Sequence, residues 1–275
     1  MSEHIAFIGG GNMASAIISG LLGQGFQASQ IDVVDPFDEA RQKLQTSFGI
    51  AAQPAPGPTL ARATLVVWAV KPQTFKDAAL QTRSHTANAL HLSVAAGITS
   101  DSIARWLGTE RIVRAMPNTP ALIGKGITGL FARPALTETV RQADRQAVEK
   151  IIATTGEWLW LDAEAQLDGV TALSGSGPAY MFYFMEAMTE AGAQMGLTRE
   201  QAHQLAVATF IGAGELARAS TEPPEVLRQR VTSKGGTTYA AITSMEGSQM
   251  KALFIKAMNA AQVRAAEMGR EFGGG

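Results

Sequence analysis

The chain has no cysteine. A disulfide framework, a thiolate metal site and a cysteine nucleophile are therefore excluded, and the composition fits a reducing compartment. Histidine is nearly as scarce: His4, His85, His91 and His203 are scattered without metal-ligand spacing, so each reads as a surface or packing residue and no metal is expected. An excess of one charge is missing too. With 23 basic and 24 acidic residues the net charge is −1, too little for a nucleic-acid field or a polybasic membrane patch. The opening Met-Ser-Glu-His has no basic n-region, and the uncharged stretch 5–31 is broken by glycines, Asn12 and several Gln and Ser. Neither a secretory signal nor a span of roughly 20 apolar residues is read there. The expectation is a cytoplasmic protein acting on a small molecule, with no nucleic-acid or membrane partner.

What is present is apolar residue in quantity, 46% over 275 positions, enough to core one large domain or two ordinary ones. Short β-rich runs alternate with helical patterns through the first 160 residues, the signature of βαβ units. Strands are predicted at 4–8, 31–34, 64–69, 90–94, 111–115, 126–131 and 157–161. Helices are predicted to begin near Asn12, Pro36, Pro72 and Asp101, with a longer one over 136–154. After Trp160 the β-branched runs vanish, and helices are expected over 163–173, 178–195, 198–219, 223–231, 236–246 and 249–271. The predicted division is 1–162 and 163–275. On 178–195, Met181, Phe182, Phe184, Met185 and Met188 cover too much of the helix circumference for a surface element. They are buried either against another subunit or within one domain.

The most specific local pattern is Ile5 to Ala14, an unalternated apolar strand that runs into glycines and then a helix. Gly9 allows a tight turn, Gly11 lets bare backbone approach a phosphate, and Ala14 lets the helix lie close on the strand. A dinucleotide pyrophosphate is thereby expected on the N–H groups of a helix start. The fold class that follows is α/β, with an N-terminal Rossmann-type dinucleotide-binding domain ahead of an all-α domain. Asp35 lies 24 residues beyond Gly11, where an acid binds an unphosphorylated ribose and repels a 2′-phosphate.

Other segments carry weaker signals. Val70-Lys71-Pro72 ends an apolar strand and opens a helix at the ligand-binding edge of the sheet, where Lys71 either faces the cofactor or is solvated. Asn118, in Met116-Pro117-Asn118-Thr119-Pro120, either meets the nicotinamide and its ribose or caps a turn. The serines of 174–180 fall outside the Gly-x-Ser-x-Gly frame of a hydrolase elbow, so the segment reads as a tight loop before a helix opened by Pro178. Thr232 to Thr238 lacks the Gly-Lys-Ser/Thr order of a phosphate loop and reads as a capped helix N-terminus.

Six stretches together resemble one family. They are Ile-Gly-Gly-Gly-Asn-Met-Ala at 8–14, Val-Lys-Pro-Gln at 70–73, Ala-Ala-Gly-Ile at 95–98, Arg-Ala-Met-Pro-Asn-Thr-Pro at 114–120, Asp-Gly-Val-Thr-Ala-Leu-Ser-Gly-Ser-Gly-Pro-Ala-Tyr at 168–180, and Thr-Ser-Lys-Gly-Gly-Thr-Thr at 232–238. In order and separation they resemble pyrroline-5-carboxylate reductase over nearly the whole chain. The resemblance implies reduction of 1-pyrroline-5-carboxylate to L-proline by hydride from NAD(P)H, the last step of proline biosynthesis. It also implies a homo-oligomer through the helical domain, either a dimer or a ring of dimers.

By the same resemblance the cofactor is expected against Gly9, Gly10, Gly11, Asn12, Met13, Asp35, Ala69, Val70, Lys71, Pro72, Ala95, Ala96, Gly97 and Asn118. The substrate is expected against Thr171, Ser233, Gly235, Gly236, Thr237 and Thr238, with the Thr238 hydroxyl at the imine nitrogen, where it either donates a proton or orients an iminium already formed. Two positions depart from the family. Val34-Asp35-Pro36-Phe37 stands where many relatives have a neutral or basic set suited to NADPH, which brings in NADH, although Arg41 remains near for a phosphate. Lys234 stands where proline is common. A 3-hydroxyacid dehydrogenase is the first rival, but 163–178 has no lysine to serve it. A non-enzymatic NADP-binding redox sensor is the second, and it has no need of the 232–238 motif.

Overall fold

The computed structural model describes residues 3–134 and 138–273. Its β-branched and aromatic runs form seven strands: β1 (Ile5–Ile8), β2 (Ile31–Val34), β3 (Leu65–Trp68), β4 (Leu90–Ser93), β5 (Ile112–Met116), β6 (Gly126–Ala132) and β7 (Gly156–Trp160). They make one sheet in the order β2-β1-β3-β4-β5-β6-β7. The first five are parallel. Each runs within about a residue or two of its predicted span. The strands β1, β3 and β4 are buried at every position because both faces of the sheet are covered.

Five helices follow strands of this sheet: α1 (Asn12–Gly23), α2 (Asp38–Phe48), α3 (Pro72–Thr82), α4 (Ser100–Leu107) and α5 (Glu138–Ile152). Ile5 and Phe7 pack on one face with Ile17, Ile18 and Leu21 of α1, while Ala6 and Ile8 pack on the other with Trp68 and Phe75. Each such large side chain, fully buried, contributes about 1.5–3 kcal/mol. The predicted helix start at Pro36 falls at Asp38 instead, because Asp35 Oδ1 accepts from Phe37 N at 2.8 Å and holds Phe37 extended. Of the helix predicted over 136–154, residues 136 and 137 lie outside the described residues, and the helix ends at Ile152.

One connection departs from simple βαβ alternation. After β5 the chain turns back through a 3-10 turn, Thr119–Ile123, and β6 pairs antiparallel with β5. Pro120 stiffens that turn and Gly124 leaves it in the left-handed region, φ 68°, so no crossover helix fits.

Beyond Trp160 the described chain is helical: α6 (Gln166–Val170), a π turn (Thr171–Gly175), α7 (Gly177–Gln194), α8 (Arg199–Ala219), α9 (Pro224–Arg230), α10 (Thr237–Gly247) and α11 (Met250–Gly273). Two compact units result. One runs to Ser176 and takes back the chain from Ala261; the other is Gly177–Ala260. The second unit has almost no core of its own: only Thr189, Gly192, Ala202 and Ala206 are buried in it, where α7 meets α8. Phe182, Tyr183, Met188, Leu205, Ile211, Leu216 and Leu253 are exposed, an apolar surface of the kind that marks an association face. Among the described residues no helix is long and apolar enough to cross a membrane.

Candidate active site

The chain order reverses between β1 and β3, whose neighbours β2 and β4 lie on opposite sides, and a ligand of such a sheet lies at the carboxyl ends of those strands. Gly9 forms the turn there with φ 95°; an added Cβ would lie 2.5 Å from the Ala69 carbonyl oxygen. Gly10 donates its N–H to Asp35 Oδ2 at 2.7 Å. Gly11 is the N-cap of α1, has no side-chain cap, and a Cβ on it would meet nothing within 4 Å. Gly9 therefore closes the strands on each other, and Gly11 leaves open space over the bare N–H groups that Asn12 and Met13 bring to the first turn. These residues fit a dinucleotide pyrophosphate.

The remaining cofactor candidates share that edge of the sheet. Ala69 and Val70 leave β3, and Lys71 is the exposed N-cap of α3 with Pro72 at its first position. Ala95, Ala96 and Gly97 leave β4, with Gly97 left-handed at φ 77°. Asn118 is buried and does not cap its own turn; its Oδ1 accepts from Ile127 N at 3.0 Å, tying the end of β5 to the start of β6.

Asp35 does more than the ribose role expected of it. Only 6% exposed, its two carboxylate oxygens already accept from Gly10 and Phe37 N–H groups. Arg41 brackets the same loop, its guanidinium donating to the carbonyls of Asp35 and Pro36 and to Asp38 Oδ1. The sequence placed Asp35 by its distance from the glycines, but pairing of the two needs the β1–β2 register, Ile8 opposite Val34.

The segment expected to be a tight loop at 174–180 is instead a widened helical turn leading into α7. The N–H of Ser176 donates five residues back to Thr171 O at 2.8 Å, the π geometry often found at functional sites. Thr171 Oγ1 donates to Leu167 O at 2.8 Å. At Gly175 a Cβ would lie 2.6 Å from Met116 Cε at the end of β5, so a side chain there would push the Met116 thioether aside.

The helix start at 232–238 is also corrected: no side chain caps it. Gly236 is the N-cap of α10 and makes no side-chain cap hydrogen bond. Ser233 O accepts from Gly236 N at 3.0 Å across a turn whose third residue, Gly235, has φ 77°. A Cβ on Gly236 would come 2.9 Å from Ser233 Oγ. Thr237 and Thr238 are the first two helical residues, so Thr238 is not a cap, and its N–H is among those a helix leaves unpaired. Ser233 to Thr238 belong to the helical unit, and Thr171 and the cofactor candidates to the sheet unit.

Two features escaped the sequence reading. Glu164 accepts from Ser100 N, Ser100 Oγ and buried Arg114 Nη1, at 2.6, 2.7 and 2.7 Å, pinning the start of α4 and strand β5 to the chain that enters α6. Nearby, burial raises the Asp168 carboxyl above its ordinary range; Arg114 and Arg270 oppose the rise and Glu164 adds to it. His91 is a packing residue, buried and accepting at Nδ1 from Trp68 Nε1 at 3.0 Å. Burial lowers its pKa to about 4.

Comparison with known proteins gives the following. Residues 164–268 match the family model described as pyrroline-5-carboxylate reductase dimerisation. Residues 4–97 match the one described as NADP oxidoreductase coenzyme F420-dependent. The chain is 45% identical to a pyrroline-5-carboxylate reductase of Pseudomonas aeruginosa, covering 99% of each. It is 38% identical to that of Vibrio alginolyticus, covering 98% of this chain and all of the relative. Among solved structures, the pyrroline-5-carboxylate reductase of Coxiella burnetii superposes with TM-score 0.88 at 38% identity, covering 98% of this chain and 99% of the other. The Plasmodium falciparum pyrroline carboxylate reductase, solved with NADP bound, superposes with TM-score 0.85 at 27% identity over 98% of each.

Proposed function

The chain belongs to the pyrroline-5-carboxylate reductase family, and we propose that it reduces 1-pyrroline-5-carboxylate to L-proline with NAD(P)H, in the cytoplasm, as the last step of proline biosynthesis. The observation that carries this is 45% identity to a reductase of that name along the whole length of both chains.

A reduced nicotinamide, when bound, supplies a hydride to the imine carbon of the substrate. The chain's own residues bind, orient and exclude. The first N–H groups of α1, opened by Gly11, receive the pyrophosphate. Gly10, Asn12, Met13 and Ala69 to Pro72 line its approach, and the Asn118 amide takes the carboxamide or ribose. Ala95, Ala96 and Gly97 are small enough to let the nucleotide lie against backbone. Thr171 lines the substrate side.

The substrate carboxylate sits on the N–H groups of Thr237 and Thr238, in the turn of Ser233, Gly235 and Gly236, with Lys234 adding positive charge. The dipole contribution is typically about 0.3–1 kcal/mol, so holding the two rings in register matters more than this attraction. Hydride adds to an iminium far more readily than to a neutral imine. Threonine is a poor acid, and Thr238 Oγ1 accordingly acts by hydrogen bonding to the nitrogen of an iminium protonated from water.

NADPH is the cofactor, with NADH accepted because Asp35 suits an unphosphorylated ribose. The match to a model described as an NADP oxidoreductase and the position of Arg41 support the first; the position of an acid, Asp35, at the end of β2 supports the second. The homo-oligomer forms through the helical unit, whose exposed apolar faces favour association, as a dimer or a ring of dimers. Oxidation of NADPH or NADH on addition of pyrroline-5-carboxylate, with proline as product, tests the function. No turnover with either cofactor rejects it.

A further inference from the structure

The last turns of α11 lie against the loop that leaves β4. A Cβ added to Gly97 would be 3.1 Å from Met268 Cβ and 3.4 Å from Gly269 N, and one added to Gly269 would be 3.2 Å from Gly97 O. Two glycine backbones thus cross so closely that a Cβ on either would push its neighbour by a few tenths of an ångström. The crossing is pinned from both sides. Gly273 O accepts from Ser102 Oγ at 2.6 Å and Arg105 Nη2 at 3.1 Å. Phe272 packs on the cluster that contains Ala95, Ile98 and Ile103. These contacts all lie within the sheet unit.

We propose that Gly269 is a positioning residue for the cofactor: through its backbone crossing with Gly97, the end of α11 sets the height of the Ala95–Gly97 loop over the sheet edge. The inference rests on the reading above that this loop touches the nucleotide. Gly97 has little freedom to yield, because its left-handed backbone leads straight into Ile98, which is fully buried, and into Thr99, which caps α4 by accepting from Ser102 N at 3.2 Å. With Gly97 unable to take up the shift alone and the end of α11 held through Gly273 and Phe272, a side chain at 269 displaces the Ala95–Gly97 segment as a whole, and with it the surface on which the cofactor lies. A purely structural contact would lower stability and leave cofactor affinity alone.

The test uses the assembled enzyme with four variants: Gly269→Ala, Gly269→Val, Phe272→Ala and Ala96→Val. KM for NADPH, KM for pyrroline-5-carboxylate, kcat and Tm are measured for each. Gly269→Val is expected to raise the NADPH KM by about tenfold, the scale of effect that small misplacements in a site produce. The substrate KM and the kcat at saturating NADPH stay near wild type, and Gly269→Ala falls between. Phe272→Ala removes packing that holds the same turn but puts no atom into the crossing, so it lowers Tm and raises the NADPH KM clearly less than Gly269→Val does. If Gly269→Val does not fold, the Gly269→Ala shift decides. An unchanged NADPH KM in the Gly269 variants, while Ala96→Val raises it, overturns the positioning role alone. No shift in Ala96→Val either overturns the placement of the cofactor on this loop, and the inference with it.

Discussion

The backbone N–H of Gly10 donates to Asp35 Oδ2 over 2.7 Å, so the acid that follows β2 is tied to the glycine turn that follows β1. One buried carboxylate holds the shape of the glycine turn, and in the proposed reading it also sets the choice of ribose. Replacing it tests the two roles separately. Asp35→Ala leaves the Gly10 and Phe37 N–H groups without their acceptor and is expected to cost about 1–3 kcal/mol in urea unfolding. Asp35→Ser keeps a small polar group there and is expected to raise the NADPH-to-NADH ratio of kcat/KM by roughly tenfold, about 1.4 kcal/mol of discrimination.

Gly9 and Gly11 are expected to fail in different ways. A side chain at Gly9 meets the Ala69 carbonyl and a backbone at φ 95°, so Gly9→Ala lowers stability by about 1–3 kcal/mol and cofactor binding with it. At Gly11 the space is open. Gly11→Ala therefore costs about 1 kcal/mol or less, from the N-cap preference, yet raises the NADPH KM. Thermal melts beside cofactor titrations separate the two.

Stability is expected to fall with acid because of His91. Burial holds its folded pKa at about 4, against about 6.5 in the unfolded chain. Between those values the unfolded chain binds a proton that the folded one does not, so stability is full above pH about 6.5 and declines down to about 4. The loss amounts to about 3 kcal/mol. Denaturant midpoints across that window check it, and His91→Gln should flatten the slope.

The exposed apolar faces of the helical unit predict an obligate assembly. Leu253→Asp places a charge on a surface that is 60% exposed in the single chain. It is expected to shift sedimentation toward the monomer. Unchanged sedimentation would count against this face.

Much of the fold was legible because its signals are local. Short unalternated β-branched runs such as Leu65 to Trp68 fit strands covered on both sides, and Pro72 marks a helix start by its own chemistry. Thr171 to Gly175 was not legible as a π turn, since a pattern of i to i+5 hydrogen bonds has no residue preference of its own. The sequence points to a capped start for α10, yet Gly236 takes the cap position, where no side chain caps, once Gly235 turns left-handed. Glu164 and Arg114, 50 residues apart, meet only after the sheet is assembled.

Thr238 is expected to matter through its hydroxyl. Thr238→Ala should lower kcat/KM for pyrroline-5-carboxylate by roughly 10–100-fold, the worth of a hydrogen bond to a charged group, while Thr238→Ser keeps most of the activity. Initial rates at saturating NADPH measure both.

In the proposed reading two helix starts, those of α1 and α10, each offer bare N–H groups to an anion. A crystal structure of the enzyme with NADPH and proline tests it most directly. The pyrophosphate is expected on the N–H groups that open α1 behind Gly11, and the proline carboxylate on those of Thr237 and Thr238. A carboxylate held elsewhere, with the start of α10 left to solvent, would contradict it.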